Sequence, residues 1–262
     1  MANAMDIETA AGGHPVKEIR SGRLIINADD WGRTRQTTQC IEDCVIHGTV
    51  NAVSAMVFME DSERAAAIAR ERGIDSGLHL NLTTGFSSTS CPTSIAESQR
   101  QIIRYLAGNR FAKYVYNPFL VRQFRYVVAA QIDEYRRLYG KEPARLDGHH
   151  HMHLSLNVLV DGLLPAGAMV RRNFSFSPGE KSFVNRSYRH LVDKKLSKRH
   201  RLTDYFFSLP PLEPRERIAK ILSLANRSVV ELETHPVNLA EYQFLLGQEL
   251  PELIKRSGAA LA

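Results

Sequence analysis

The sequence predicts an α/β protein in which successive βα units build one parallel sheet. Three observations carry this reading. Short β-branched or alternating apolar runs recur along the chain. Helical patterns with start and stop residues of their own separate the first of them. Several runs also end in Asp, Glu or His, and parallel sheets with helical crossovers place functional groups at those carboxyl ends.

Residues 24–28 (LIINA) form a buried strand that ends in Asp29 and Asp30. A helix follows over about 37–47, with Cys40, Ile41, Cys44 and Val45 on one face. Residues 51–58 (NAVSAMVF) read as a second strand. Asp61 and Ser62 offer an N-cap to an Ala-rich helix that runs to about Arg72 and stops at Gly73. Residues 78–82 alternate at period two and give a third strand, interrupted by His79. Residues 87–118 are a long excursion with a short helix near 95–106, and a strong helix over about 119–139 closes at Gly140. Residues 145–148 lead into a histidine cluster as a fourth strand, and 169–176 form a further strand candidate. Residues 177–201 read as a basic, irregular insertion. A segment at 204–209, a helix at 214–225, a strand at 228–234 and a last helix ending near Arg256 complete the series. No internal repeat or linker-like shift in composition interrupts it, so residues 24–262 are taken as one domain.

The composition fits a globular protein. Of 262 residues, 44% are hydrophobic and 24% charged, which excludes disordered and collagen-like chains. No apolar run reaches the roughly 18 residues of a spanning helix, so no integral membrane segment is expected. Three cysteines cannot make a disulfide framework and fit a reducing compartment. Residues 1–23 are small and polar, without the apolar stretch of a secretory signal; they read as a disordered extension, and a cytoplasmic location is expected. The net charge of +6 is thin support for nucleic-acid binding, and no nucleic-acid partner is expected. The ten histidines say more, because four of them fall between His149 and His153.

Four strand ends gather the polar groups. They are Asp29 with Asp30; His79; Asp147 with His149, His150, His151 and His153; and Glu231, Glu233 and His235 before Pro236. If the fourth strand stays regular, period two puts Asp147, His149, His151 and His153 on one face and His150 on the other. One carboxylate and two imidazoles bind a borderline divalent ion and leave positions for water and substrate. Such an ion acidifies its water and polarises a carbonyl oxygen. A second carboxylate takes the water's proton, and a spare imidazole protonates the leaving group. The set therefore suits metal-assisted hydrolysis. Each piece alone has a plainer explanation, Asp-Asp as a turn or cap and His79 as a core histidine; the convergence of all four does not.

NADDWG (27–32), GLHLNLT (77–83), LDGHHHMH (146–153) and ETHPV (233–237) resemble, in order and spacing, the four motifs of YdjC-like carbohydrate deacetylases. That family includes chitooligosaccharide deacetylases and hopanoid-biosynthesis-associated relatives, and the resemblance spans about residues 24–256. It implies a single-domain distorted (β/α) barrel with its site at the carboxyl ends of parallel strands. It also implies one divalent metal ion, Mg2+ or Zn2+, and hydrolysis of an N-acetyl group on an amino sugar with release of acetate. Carried over by motif position, Asp30, His79 and His149 would be the metal ligands and Asp29 the general base. His235 would be the acid or would orient the base. Within the cluster the family pattern favours His149, while His151 and His153 share its expected face; these two and Asp147 would support the ligands or meet the substrate. Trp31 replaces the more usual Phe and is placed to stack on a sugar ring. Gly148 stands where the family often has Ser, a change expected to cost little. The usual arginine near the final helix is lacking after His235, and a barrel open at that last edge is expected.

The expected partner is an acetylated amino sugar, free, phosphorylated or lipid-linked, acted on by a monomer or a homo-oligomer. Two other readings use the same residues: a metal phosphoesterase, which usually wants a second ion about 4 Å from the first, and a catalytically silent sugar-binding barrel. Cys40 and Cys44 read as a buried helical face. The run 194–201 reads as a solvated loop, or as a surface drawing a phosphorylated or lipid-linked sugar or an anionic membrane. Tyr105, Phe111, Tyr114, Tyr116 and Phe119 read as a lid packed onto the barrel, with sugar stacking as the alternative.

Overall fold

The computed structural model describes residues 22–176 and 180–262. Seven strands among them form one parallel sheet: β1 (Arg23–Trp31), β2 (Ala52–Ala55), β3 (Ser76–Leu80), β4 (Arg145–Gly148), β5 (Met169–Val170), β6 (Tyr205–Ser208) and β7 (Val229–Thr234). Their order across the sheet is β5-β4-β3-β2-β1-β7-β6. Helices α1 (Arg35–Ile46), α2 (Ser62–Arg72), α3 (Thr93–Gly108), α4 (Val121–Tyr139), α5 (Leu156–Val160), α6 (Phe183–Leu196), α7 (Arg215–Leu224), α8 (Leu239–Leu246) and α9 (Glu249–Ser257) fill the connections. The sheet curls into a half-barrel with the helices around it.

The alternation of side chains explains the two faces. Leu24, Ile26 and Ala28 of β1, Val53 of β2, Leu78 and Leu80 of β3, Leu146 of β4 and Val230 and Leu232 of β7 all join the buried hydrophobic core under the helices. On the concave side Ile25 gives way, toward the carboxyl ends, to polar residues: Asn27, Asp29, Ser54, His79, Asp147, Glu231 and Glu233, all buried. Parallel register stacks them in layers, with Asn27 opposite Glu233 and His79 opposite Asp147. The curl is measurable from one contact. Arg171, just after β5, bonds Asp29 of β1 at 2.7 Å, although β5 and β1 are four strand spacings apart. At about 4.8 Å per spacing a flat sheet would separate them by roughly 19 Å.

Most elements fall where periodicity puts them, and the differences have local causes. Gly73 and Gly140 end α2 and α4 in the left-handed conformation, at φ 65 and 66. Asp61 does not cap α2; Arg64 takes both of its carboxylate oxygens. The fourth strand ends at Gly148, and His149–Leu154 is a 3-10 turn. β5 is two residues long rather than eight. The basic insertion is not irregular: α6 occupies Phe183–Leu196, while residues 177–179 of that reading lie outside the described residues. The last helix is two, α8 and α9, on either side of Gly247. Arg23 belongs to β1 and pairs with Val229, and residues 1–21 of the expected extension lie outside the described residues.

The opening of the barrel is also elsewhere than expected. It lies between β5 and β6 and is crossed by Val170 N to Arg201 O (2.9 Å) and Ser175 N to Phe206 O (2.8 Å). The edge beside the start of β1 is instead filled by residues 260–262, with Leu24 N donating to Ala260 O and Ala262 N to Leu24 O, each at 2.9 Å.

Close approach of β3 and β4 sets the position of His79. A Cβ on Gly77 would stand 2.8 Å from the Arg145 carbonyl oxygen, so Gly77→Ala must push the strands apart where His79 meets Asp147. We expect it to lower stability by about 1–3 kcal/mol, read as a shift of the urea midpoint.

Candidate active site

Asp29 and Asp30 are neighbours in sequence, yet both turn toward the concave side. The register of β1 slips between Ala28 and Trp31, and Asp30 takes a left-handed φ of 69, a conformation Asp tolerates better than most residues. This bulge separates the two carboxylates into different environments.

Asp30 faces two imidazoles. Its Oδ1 lies 2.9 Å from His149 Nδ1 and 3.4 Å from His79 Nε2, and Oδ2 accepts a 2.9 Å bond from Arg33. The ligand atoms of Asp30, His79 and His149 all lie within 4.8 Å of one another, and the three side chains are buried. His79 donates from Nδ1 to Asp147 Oδ1 at 2.7 Å, which fixes the tautomer and turns the Nε2 lone pair to the centre. Asp30 Oδ1 and His79 Nε2 are buried and have no hydrogen-bond partner among the described residues. Buried polar atoms are rarely left so. A carboxylate oxygen and an imidazole nitrogen left without hydrogen bonds, with a second imidazole beside them, fit a shared divalent cation. Burial alone would raise the Asp30 pKa; when the two imidazoles carry a proton in place of an ion, hydrogen bonding and charge from His149 and His79 hold it well below the carboxylate range.

Asp29 faces a guanidinium. Arg171 donates to both of its oxygens, Nη1 to Oδ2 at 2.7 Å and Nη2 to Oδ1 at 2.8 Å, and Asn27 Nδ2 adds 2.7 Å to Oδ1. The same guanidinium reaches Asp147 at 2.7 Å, Glu231 at 2.7 Å and Glu233 at 3.3 Å. Asn27 and Ser54 continue the network, Ser54 Oγ donating to Asp147 Oδ2 at 2.6 Å. Burial would raise the Asp147 pKa, yet Arg171 and His79 hold it far below the usual range. Glu231 and Glu233 move the other way: burial raises both, and for Glu233 the charge of Asp29 adds to it. Ligand atoms of Asp29, Glu233 and His235 also gather within 4.8 Å, with His235 Nδ1 3.9 Å from Glu233.

The histidine cluster does not share a face. His150 and His151 are left-handed, at φ 54 and 57, so the chain turns sharply and the period-two expectation fails. His149 joins Asp30 and His79. His151 points to Glu233 at 3.7 Å and to the Phe174 ring, and burial lowers its pKa to about 2. His153 lies behind the site, fully buried, with Nε2 donating to the Arg171 carbonyl at 2.9 Å. His150 stacks on His149 and meets Thr83 Oγ1 at 3.0 Å. Trp31 cannot stack on a sugar: the bulge turns it into the core, where it is fully buried and Nε1 donates to Ala65 O. Gly148 is more constrained than expected, since a Cβ there would meet His153 N at 2.9 Å. Arg171 is the residue that sequence reasoning missed. Its signal was present, a charged residue ending an apolar strand, but hidden because the strand was read through to residue 176.

Fold and site together define a parallel α/β half-barrel with a buried Asp/His/His group beside a second, arginine-held Asp at the strand ends. The chain belongs to the YdjC-like family, whose profile for YdjC-like protein matches residues 23–256. It is 31% identical over 138 residues to a carbohydrate deacetylase of Mus musculus, covering 50% of this chain and 43% of that one. It is 30% identical over 155 residues to a chitooligosaccharide deacetylase of Serratia marcescens, covering 57% and 58%. The chain thus aligns along about half the length of the curated relatives it matches. A crystal structure from Enterococcus faecalis V583, whose candidate activity is given as cellobiose-phosphate cleavage, has a similar fold: TM-score 0.66 at 22% identity, over 92% of this chain and 97% of that one.

Two stability measurements test this network. Arg171→Met leaves four buried carboxylates without their cation and should cost about 3–5 kcal/mol in urea denaturation. His153 tests the acid side. Burial lowers its pKa to about 4, against the raising effect of its bond to the Arg171 carbonyl. The unfolded chain takes up this proton near pH 6.5 and the folded chain does not, so the stability this group contributes is complete above 6.5 and is lost as the pH falls toward 4. The loss is on the order of 3 kcal/mol, and it should vanish from the pH profile of His153→Asn when the two are compared by urea titration between pH 7 and 4.

Proposed function

We propose that this chain is a metal-dependent carbohydrate deacetylase that removes the N-acetyl group from an amino sugar. One observation carries the reading: ligand atoms of Asp30, His79 and His149 converge, those of Asp30 and His79 without hydrogen-bond partners, beside a second carboxylate, Asp29, on the concave face. The names of the curated relatives, carbohydrate and chitooligosaccharide deacetylase, support it. Asp30, His79 and His149 would hold the ion, Zn2+ suiting the imidazoles and Mg2+ the carboxylate. When bound, such an ion polarises the acetamide carbonyl and lowers the pKa of a water.

The chain's own residues supply the proton transfers. Asp29, oriented by Arg171 and Asn27, takes the proton of the attacking water at a carboxylate oxygen. His235, half-buried on the open side of Glu233, gives a proton to the departing amine nitrogen as the carbon–nitrogen bond breaks and acetate leaves. Asp147 holds the His79 tautomer, and Arg171 keeps Asp29 from swinging toward Asp30.

The phosphoesterase reading requires a second ion. Asp29, Glu233 and His235 are close enough to be considered for one, but Arg171 already bonds the oxygens of Asp29 and Glu233 and repels a cation there. A metal content near one per chain is expected; two would favour the phosphoesterase.

The test is acetate release from N-acetylated mono- and oligosaccharides, with and without chelator. Chelation should abolish release and re-addition of metal restore it. Asp29→Asn should lower kcat at least about 100-fold with metal content unchanged, whereas Asp30→Asn, which keeps the left-handed turn, should lose the metal. Full acetate release by Asp29→Asn overturns the base assignment.

A further inference from the structure

The chain's charge is unevenly distributed. Residues 98–132 contain six Lys or Arg and no Asp or Glu; residues 181–201 contain eight against one. These 56 residues therefore carry +13 of a chain whose total is +6, and the remainder is at −7. The single acid, Asp193, is buried and bound to Arg172 and Asn173, so the outer surface of α6 is purely basic.

The same two segments expose apolar side chains. Of the thirteen large hydrophobic residues exposed among the described residues, eight lie in them. On α6, Phe183 is 82% exposed, Val184 77% and Leu191 65%. Helical spacing sets Phe183, Leu191, Lys194 and Lys195 on one outward stripe. In the excursion, Phe111 and Val115 are more than half exposed and Phe119 is 89% exposed, so the expected lid does not pack these residues down. Cations are interleaved with the rings, Arg110 over Phe111 and Lys113 over Tyr114. Tyr114 and Tyr188 join the two segments edge to face, 5.3 Å between centroids.

We infer that this face docks on an anionic lipid bilayer. Lys and Arg around outward Phe, Val and Leu are the chemistry of an interfacial helix: the apolar side chains enter the acyl boundary while the cations meet acidic headgroups. Two competitors fit less well. A second copy of the chain would bring like charges together, and a nucleic acid or acidic polysaccharide gives three outward aliphatic and aromatic side chains nothing to bury against. No helix among the described residues is long and apolar enough to cross a membrane, so the contact is peripheral. Its position has a consequence for the site. A cavity of about 210 Å³ is lined by Lys113 and Tyr114 from one segment, Tyr188 and Arg189 from the other, and His151 from the candidate active site. Docking sets this cavity at the headgroup layer. The inference does not depend on the reaction proposed above, because the binding assay involves no turnover.

The experiment is flotation of the full chain with vesicles of phosphatidylcholine alone or with 30% phosphatidylglycerol, a composition chosen at about one acidic headgroup in three. Binding to the acidic vesicles should be at least about tenfold tighter and should weaken as salt screens the charges. Lys194→Gln with Lys195→Gln should weaken it at least about tenfold, at roughly fivefold per cation, and Phe183→Ser with Leu191→Ser should do the same. Phe183→Trp gives a second readout: with Trp31 buried, its emission should shift to the blue on adding acidic vesicles and stay unchanged with neutral ones. Circular dichroism shows that each variant is folded. The inference is overturned by absence of vesicle binding, by equal binding to both vesicles, or by binding that ignores Phe183 and Leu191 and is matched by heparin. It is also overturned by self-association that Leu191→Ser dissolves.

Discussion

The buried guanidinium of Arg171 is the interaction on which the rest of the structure depends. Alternating side chains in a curled parallel sheet bring Asp29, Asp147, Glu231 and Glu233 to one concave layer, and four buried carboxylates cannot coexist without a partner. Arg171 meets all four within 3.3 Å. It also does so across the sheet, from the end of a two-residue edge strand to β1 and β7. Few backbone bonds close the gap between β5 and β6, so this electrostatic tie holds the curl from the inside. His153 braces it from behind through the Arg171 carbonyl, and the Phe206 ring lies 4.9 Å from the guanidinium carbon.

The reach of that guanidinium also decides where a cation fits. Asp30 is the acid on this face that Arg171 does not bond. Arg33 takes one of its oxygens from the solvent side, and the other is left to His79 and His149. Asp29 and Asp30 are neighbours in sequence, and the bulge in β1 assigns them to different surroundings: one to the Arg171 guanidinium, the other to the imidazoles of His79 and His149. The separation of a carboxylate held by a guanidinium from one that faces two imidazoles thus rests on a single left-handed φ.

Much of this was legible in the sequence, and what was not has a physical reason. Hydrophobic period marks β1, β3 and β7, and the polar ends of the strands point to Asp29, Asp30, His79, Asp147 and His149, which the fold brings together. Period cannot foresee backbone that leaves the strand. His150 and His151 in the left-handed region break the expected common face, and the β1 bulge sends Trp31 into the core. Arg171 was obscured because β5 ends at Val170, whereas the strand was read through to residue 176. The helix α6 was missed for a different reason: Phe183, Val184 and Leu191 lie on its outer side, so its apolar residues do not form the one-sided stripe by which a packed helix is recognised.

The net charge of +6, read as an average, concealed two opposed fields. The concave interior is acidic, with five carboxylates against one fully buried guanidinium, while the segments beside its mouth carry +13. An anion is drawn to the rim and repelled from the interior; a neutral group enters freely, and a group that becomes cationic inside is stabilised there. In the hydrolysis proposed above the amine formed is cationic and is held by the interior field, while the acetate formed with it is anionic and is driven out. The two fields are therefore distinct, one buried on the concave side and the other on the outer surface of the segments that meet at Tyr114 and Tyr188.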